Sequence, residues 1–179
     1  MSKVKTKANG NIILPYWKVH EKSYDISYAT DGSACFDLPF SPWGKMTYKG
    51  YDITNAPFER NLNNLLQLAI MPGDRVMVPT GLIFDIPEGY VLKVHPRSGT
   101  SLKQGLSLVN CEGVIDSDYV EETFLLMVNH SHVKAVLDPG TRLAQAELIP
   151  YIKVVLEATE NKPGQKTDRA GGMGSTGTK

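Results

Sequence analysis

Two short segments carry the residues best suited to chemistry in this chain. Pro96-Arg97-Ser98-Gly99-Thr100 supplies a guanidinium, hydroxyls and exposed backbone N–H groups, a set that suits an oxyanion-rich ligand. Gly113-Val114-Ile115-Asp116-Ser117-Asp118-Tyr119 places a carboxylate behind a Gly-Val-Ile strand, with an aromatic ring three residues on. The carboxylate can orient a water, and the ring can wall a flat sugar or base. Taken singly, the first segment reads equally well as a Pro-x-Ser-Gly turn with a solvated arginine. The second, alone, reads as a strand-end Asp capping a turn. Their presence together in one small chain calls for a joint explanation.

A chain of 179 residues suits one domain, with room for an insertion and a sizeable core. Lys+Arg and Asp+Glu are equal at 19 each, so no global field draws nucleic acid or membrane. A polyanionic ligand must therefore be met by local placement of Arg and Lys. Cys35 and Cys111 form no framework, which fits a reducing compartment. No apolar run reaches membrane-spanning length, and the start at Met1 lacks an apolar signal core. A soluble, cytoplasmic protein is the expectation.

The elements that must position these residues read as mostly β. Apolar or β-branched runs cover 11–19, 75–79, 82–86, 90–94, 106–110, 123–129 and 144–156. Turn signals such as Pro72-Gly73-Asp74, Pro87-Glu88-Gly89 and Asp138-Pro139-Gly140 separate them. Short strands about ten residues apart indicate a sandwich, jelly roll or barrel, with no room for crossover helices. One segment departs from the pattern: Phe58, Leu62, Leu65, Leu66 and Ala69 recur at helical spacing. The reading is a domain over 1–160, an insertion over 39–71 carrying a short helix at 58–70, and a flexible Gly-rich tail over 161–179.

Five segments in order resemble the motifs of the homotrimeric dUTPase family. They are Ala29-Thr30-Asp31-Gly32-Ser33-Ala34-Cys35-Phe36-Asp37-Leu38, Pro96-Arg97-Ser98-Gly99, Asn110 to Tyr119, Gly140-Thr141-Arg142-Leu143-Ala144-Gln145, and Arg169 to Gly177. The resemblance runs from about Asn11 to the C-terminus and skips 39–71. It implies an all-β, jelly-roll-like β-barrel and hydrolysis of dUTP to dUMP and pyrophosphate. It also implies a homotrimer whose active sites are each shared by three chains.

What the resemblance implies for single residues agrees with their chemistry. Asp116 would orient and deprotonate the attacking water. Arg97 and Ser98 would hold phosphate oxygens, with Gly99 allowing close backbone approach. Gln145 would contact the α-phosphate. Arg142, three residues earlier and on the opposite side of an extended strand, would brace the site or a subunit contact. Asn110, with the backbone of Gly113, Val114 and Ile115, would read the edges of uracil, and Tyr119 would pack beneath deoxyribose. Asp37 would act on Mg²⁺ through a coordinated water, the ion being held mainly by the triphosphate. No zinc-spaced cluster is present.

In the tail, Arg169 would pair with the terminal phosphate, Gly172 and Gly174 would let the backbone wrap it, and Ser175 would add a hydroxyl, closing a lid over the site. Met173 stands where the family usually carries an aromatic ring over the base, and Cys35 where it usually has glycine. A need for positive φ there would strain Cys35. Val120-Glu121-Glu122 replaces the usual Arg-Gly-Glu. Two other classes compete: a dCTP deaminase of the same fold, and a binding protein acting through 39–71 with Trp43, Tyr48, Tyr51 and Phe58 as contacts.

Overall fold

The structure, a computed structural model, describes residues 4–8 and 10–167. Period-two burial explains most of it. In the strand Arg75–Pro79, Val76 and Val78 are buried and Met77 points outward. In Phe124–Asn129, Leu125, Met127 and Asn129 are buried and Leu126 is exposed. Two antiparallel sheets dominate. With strands numbered along the chain, one sheet has the order β10 (Gly113–Ile115), β8 (Tyr90–Pro96), β13 (Arg142–Pro150), β2 (Phe36–Pro39). The other has the order β4 (Pro57–Asn61), β3 (Thr47–Tyr51), β6 (Arg75–Pro79), β11 (Phe124–Asn129), β9 (Leu106–Leu108). Two-stranded ribbons pair β1 (Tyr16–Lys18) with β7 (Leu82–Phe84) and β5 (Leu68–Ile70) with β12 (Ala135–Leu137).

A single core lies between the main sheets. Leu38, Leu92, Ala144 and Ala146 from the first meet Val76, Val78, Leu106, Leu125 and Met127 from the second. This is the all-β, jelly-roll-like architecture expected from the sequence. Among the described residues no helix is long and apolar enough to cross a membrane.

The helix expected at 58–70 is absent. Residues 57–61 form β4, paired with β3, and 68–70 form β5. Between them Asn63 turns the chain: its side-chain oxygen accepts the N–H groups of Leu65 and Gln67, each at 2.9 Å. Leu66 then takes φ +58°, which no helix tolerates. The apolar spacing thus reflects two strands and a turn, with Leu68 and Ile70 in the core and Leu65 exposed.

The segment is also tied to its own domain. Arg60 pairs with the buried Asp74, the Tyr48 hydroxyl donates to the Ala69 carbonyl at 2.7 Å, and Tyr48 stacks edge-on against Phe58. These aromatics pack inward, as core residues do, and Tyr51 stays half exposed.

The helix that does form among the described residues is α1 (Ser98–Gln104), inside the first chemical motif. It stops at Gly105, whose φ of +66° suits glycine and whose N–H returns to the Ser101 and Thr100 carbonyls. Cys35 is not among the non-glycine residues with positive φ, so the strain anticipated there does not arise. Glu122, third after Tyr119, is buried. It accepts from the Gly81 N–H at 3.0 Å and pairs with Lys45 at 2.6 Å, so it serves the β6–β7 turn.

Candidate active site

The sequence-derived residues fall into two separate hollows. The first, of about 270 Å³, is walled by the segment that crosses from β9 in one sheet to β10 in the other and runs on past it. Asn110, Gly113, Val114, Ile115, Asp116 and Tyr119 line it, over an apolar floor of Met77, Leu108, Phe124 and Leu126. The β10–β8 register, Gly113 opposite Val94 and Ile115 opposite Leu92, sets the direction in which Asp116 leaves the sheet. Tyr119 is fixed by its hydroxyl, which donates to the Glu122 carbonyl at 2.9 Å. Its ring remains partly exposed at the rim.

The second hollow, of about 690 Å³, opens over the start of α1 and the edge of β13. Arg97, Ser98, Gly99, Asp37, Arg142 and Gln145 line it together. Asp37 organises the charge here. Its carboxylate accepts from Arg97 Nε at 2.7 Å and from Arg142 Nη1 at 2.9 Å, one guanidinium on each oxygen. Arg97 also donates to the Arg142 carbonyl at 3.0 Å. Gln145, directly opposite Asp37 in the β13–β2 register, donates one amide hydrogen to the Pro96 carbonyl at 3.1 Å. Its amide nitrogen carries a second hydrogen beyond that bond.

One expectation needs correcting. A regular strand would put Arg142 and Gln145 on opposite faces, yet both line this groove. The pairing with β2 shifts register between Arg142 and Ala144, an irregularity of the kind that re-aims a side chain. Arg142 does brace the site, through Asp37.

Burial pushes the Cys35 thiol up, and the carboxylates of Glu147 and Asp37 add to that shift. The shift favours the thiol over the thiolate. Lys103 and Ser33 also line the groove, and sequence reasoning missed both. Lys103 lies in the last turn of α1, signalled by the stop at Gly105, which went unread because Gly99, Thr100 and Ser101 are weak helix formers. Arg169, Gly172, Met173, Gly174 and Ser175 lie outside the described residues.

Comparison with known proteins bears directly on this pair of hollows. Residues 61–177 match the dUTPase family. The deoxyuridine 5'-triphosphate nucleotidohydrolase of Brucella melitensis is 37% identical over 160 residues, spanning 89% of this chain and 88% of the relative. This chain belongs to the dUTPase family. The corresponding nucleotidohydrolase of Hydrogenobaculum sp. is 42% identical over 113 residues, 63% of this chain and 77% of that protein.

Among solved structures, a dUTPase from Streptococcus mutans superimposes with a TM-score of 0.59 at 25% identity, covering 78% of this chain and 98% of its own. A dUTPase from phage phi11 of S. aureus gives 0.65 at 17% identity, covering 83% and 97%, and supports the fold alone. That phage structure holds a structural Mg(II) ion. The dUTPase match spans Arg97, Ser98 and Gly99 at the start of α1, the Asn110–Tyr119 segment and Gln145.

Proposed function

We propose that this chain hydrolyses dUTP to dUMP and pyrophosphate. The observation that carries the reading is the division of labour between the two hollows in a dUTPase-family chain. One is apolar and bounded by Asn110, Asp116 and Tyr119; the other gathers Arg97, Arg142, Ser98 and Gln145. In the reaction a water attacks the α-phosphorus, its proton passes to the Asp116 carboxylate, and the bond to the β-phosphate oxygen breaks, releasing pyrophosphate. Arg97, Ser98 and the second amide hydrogen of Gln145 hold phosphate oxygens as charge develops. Asn110 reads the base edge, and Tyr119 excludes a ribose hydroxyl by contact. The product dUMP then serves dTMP synthesis, and removal of dUTP limits uracil in DNA.

Mg²⁺ fits the residues present as a substrate-borne ion. A single carboxylate whose two oxygens already face guanidinium groups is a poor direct ligand, but its remaining lone pairs can accept hydrogen bonds from an ion's waters. When bound, the ion neutralises the triphosphate and orients it. Asp37 keeps that role by holding Arg97, Arg142 and the ion's waters in one arrangement.

The two hollows belong to different active sites of a homotrimer. In one chain Ile115, just before Asp116, pairs with Leu92, while Arg97 follows the far end of β8 five residues on, about 17 Å along at strand rise. No single phosphate and its attacking water can touch both. A second feature supports assembly. Beyond Pro150 the chain runs outward as Tyr151-Ile152-Lys153-Val154-Val155-Leu156, with Ile152 90% and Leu156 91% exposed. An apolar run so placed suits burial against another copy; the role of lid falls to the tail over 161–179, most of which lies outside the described residues.

Pyrophosphate release measured with dUTP, dCTP, dTTP and UTP tests the reaction. Turnover of dUTP far above the other three is the expected result. Ammonia from dCTP would mark a deaminase instead, and no turnover of any nucleotide would leave a binding protein. Mass in solution tests the assembly, for which a monomer is the contrary result.

A further inference from the structure

Between Asn110 and Gly113 the backbone makes a three-residue turn of the uncommon hand. The Glu112 N–H donates to the Asn110 carbonyl across Cys111, whose φ is +60°. That hydrogen bond with positive φ at its centre is the rarer, strained γ-turn. A non-glycine residue persists there only where its surroundings hold it. Cys111 itself is exposed, and its own N–H reaches the Leu108 carbonyl only at 3.4 Å.

The restraint sits one residue on. The Glu112 carboxylate turns onto β8, where Lys93 Nζ lies 3.1 Å from each of its oxygens. His95 Nδ1 is 3.8 Å from the same group, and its Nε2 is 3.1 Å from Glu147 on β13. Lys93 stands directly opposite Val114 in the β10–β8 register. The ion pair therefore fastens the strained turn to the strand beneath it rather than joining two arbitrary surface points.

We infer that Glu112 and Lys93 form a positioning clamp that keeps Asn110 aimed into the first hollow and so sets affinity for the base. The consequence for substrate rests on the dUTP reading above; the clamp on the turn does not. A half-exposed pair of this kind adds little to global stability, so its effect shows locally.

The test compares Glu112→Gln, Lys93→Met and the double variant, each in the full chain. Amide hydrogen exchange over 110–113 rises about two- to fivefold in each, with the thermal midpoint unchanged. KM for dUTP rises by about the same factor while kcat holds, the signature of lost binding that is equal in ground and transition states. The double variant is no worse than either single one, and Lys93→Arg restores much of the loss. Exchange rates and KM equal to wild type in both single variants would overturn the clamp, as would a fall in kcat at constant KM. If the wild-type chain turns over no dUTP, the functional reading fails separately, and unchanged exchange at 110–113 still decides against the clamp.

Discussion

The two hollows are made by different physics. The one at 110–119 is walled by the turns that carry Asn110, Asp116 and Tyr119, over a floor of strand residues Met77, Leu108 and Leu126 whose positions follow from sheet register. The groove over α1 is larger and polar, and its shape depends on one carboxylate holding two guanidinium groups from distant parts of the chain. The first is finished within a single chain: packing sets it. The second is an arrangement of charges facing open space, which acquires its purpose when an anion arrives. A pocket that selects a base benefits from rigidity, whereas a grip on phosphate needs charge and reach. The chain assigns the two tasks to the parts of the fold that supply each most easily.

The largest expected effect is at Asp116, the one carboxylate among the residues lining the rigid hollow. Replacing it with Asn keeps shape and removes the proton acceptor. Turnover of dUTP should fall by about 10²–10⁴-fold, the usual contribution of a positioned general base. Binding of the nucleotide, followed by calorimetry, should stay within a few-fold of wild type. Retained turnover would remove Asp116 from the chemistry and leave the apolar hollow with a purely selective role.

Asp37 probes the other region and should cost less. Asp37→Asn removes the charge that holds Arg97 at 2.7 Å and Arg142 at 2.9 Å, and it turns an amide N–H toward one of them. Both guanidinium groups lose their alignment. An activity loss of about 10–100-fold is expected, together with a higher Mg²⁺ requirement, as for other groups that orient a metal's surroundings. A Mg²⁺ titration of kcat/KM measures it. Unlike Asp116→Asn, this change should weaken nucleotide binding. A loss confined to kcat would show that the groove is as rigid as the hollow.

How much could be read from the sequence follows the same division. Strands 75–79, 90–96 and 124–129 are legible because alternation is local and the core demands it. The residues from Asn110 to Tyr119 fall together because they are neighbours in the chain, on the turns either side of β10. The groove is less legible. Asp37 meets Arg97 and Arg142 across 60 and 105 positions of chain, and no local pattern encodes such a meeting. The register shift at Arg142 defeats face assignment by counting, since one irregular residue reverses every later side chain. At 58–70 the apolar spacing imitates a helix, and the turn chemistry of Asn63 with Leu66 wins. At 98–104 the reverse holds: a poor helix former becomes one because Thr100 is buried and Gly105 closes the turn.

The smallest test sets two glycines against each other, one in each hollow. A Cβ at Gly113 would lie 3.1 Å from Val94 Cβ, close enough that Val94 must give by a few tenths of an ångström, and in ordinary contact with Asn110 Nδ2 at 3.5 Å. A Cβ at Gly99 would meet nothing within 4 Å. Gly113→Ala should therefore cost about 1–3 kcal/mol by crowding the buried Val94, a drop of a few degrees in thermal midpoint at about 2–4 °C per kcal/mol. Gly99→Ala should leave the midpoint unchanged or raise it slightly, because alanine favours the helix that begins at Ser98. Any loss of activity in that variant would then come from the ligand or a neighbouring copy meeting the new methyl group. Equal destabilisation by the two changes would mean that the groove is packed against its own chain after all, and the difference between a finished hollow and an open one would disappear.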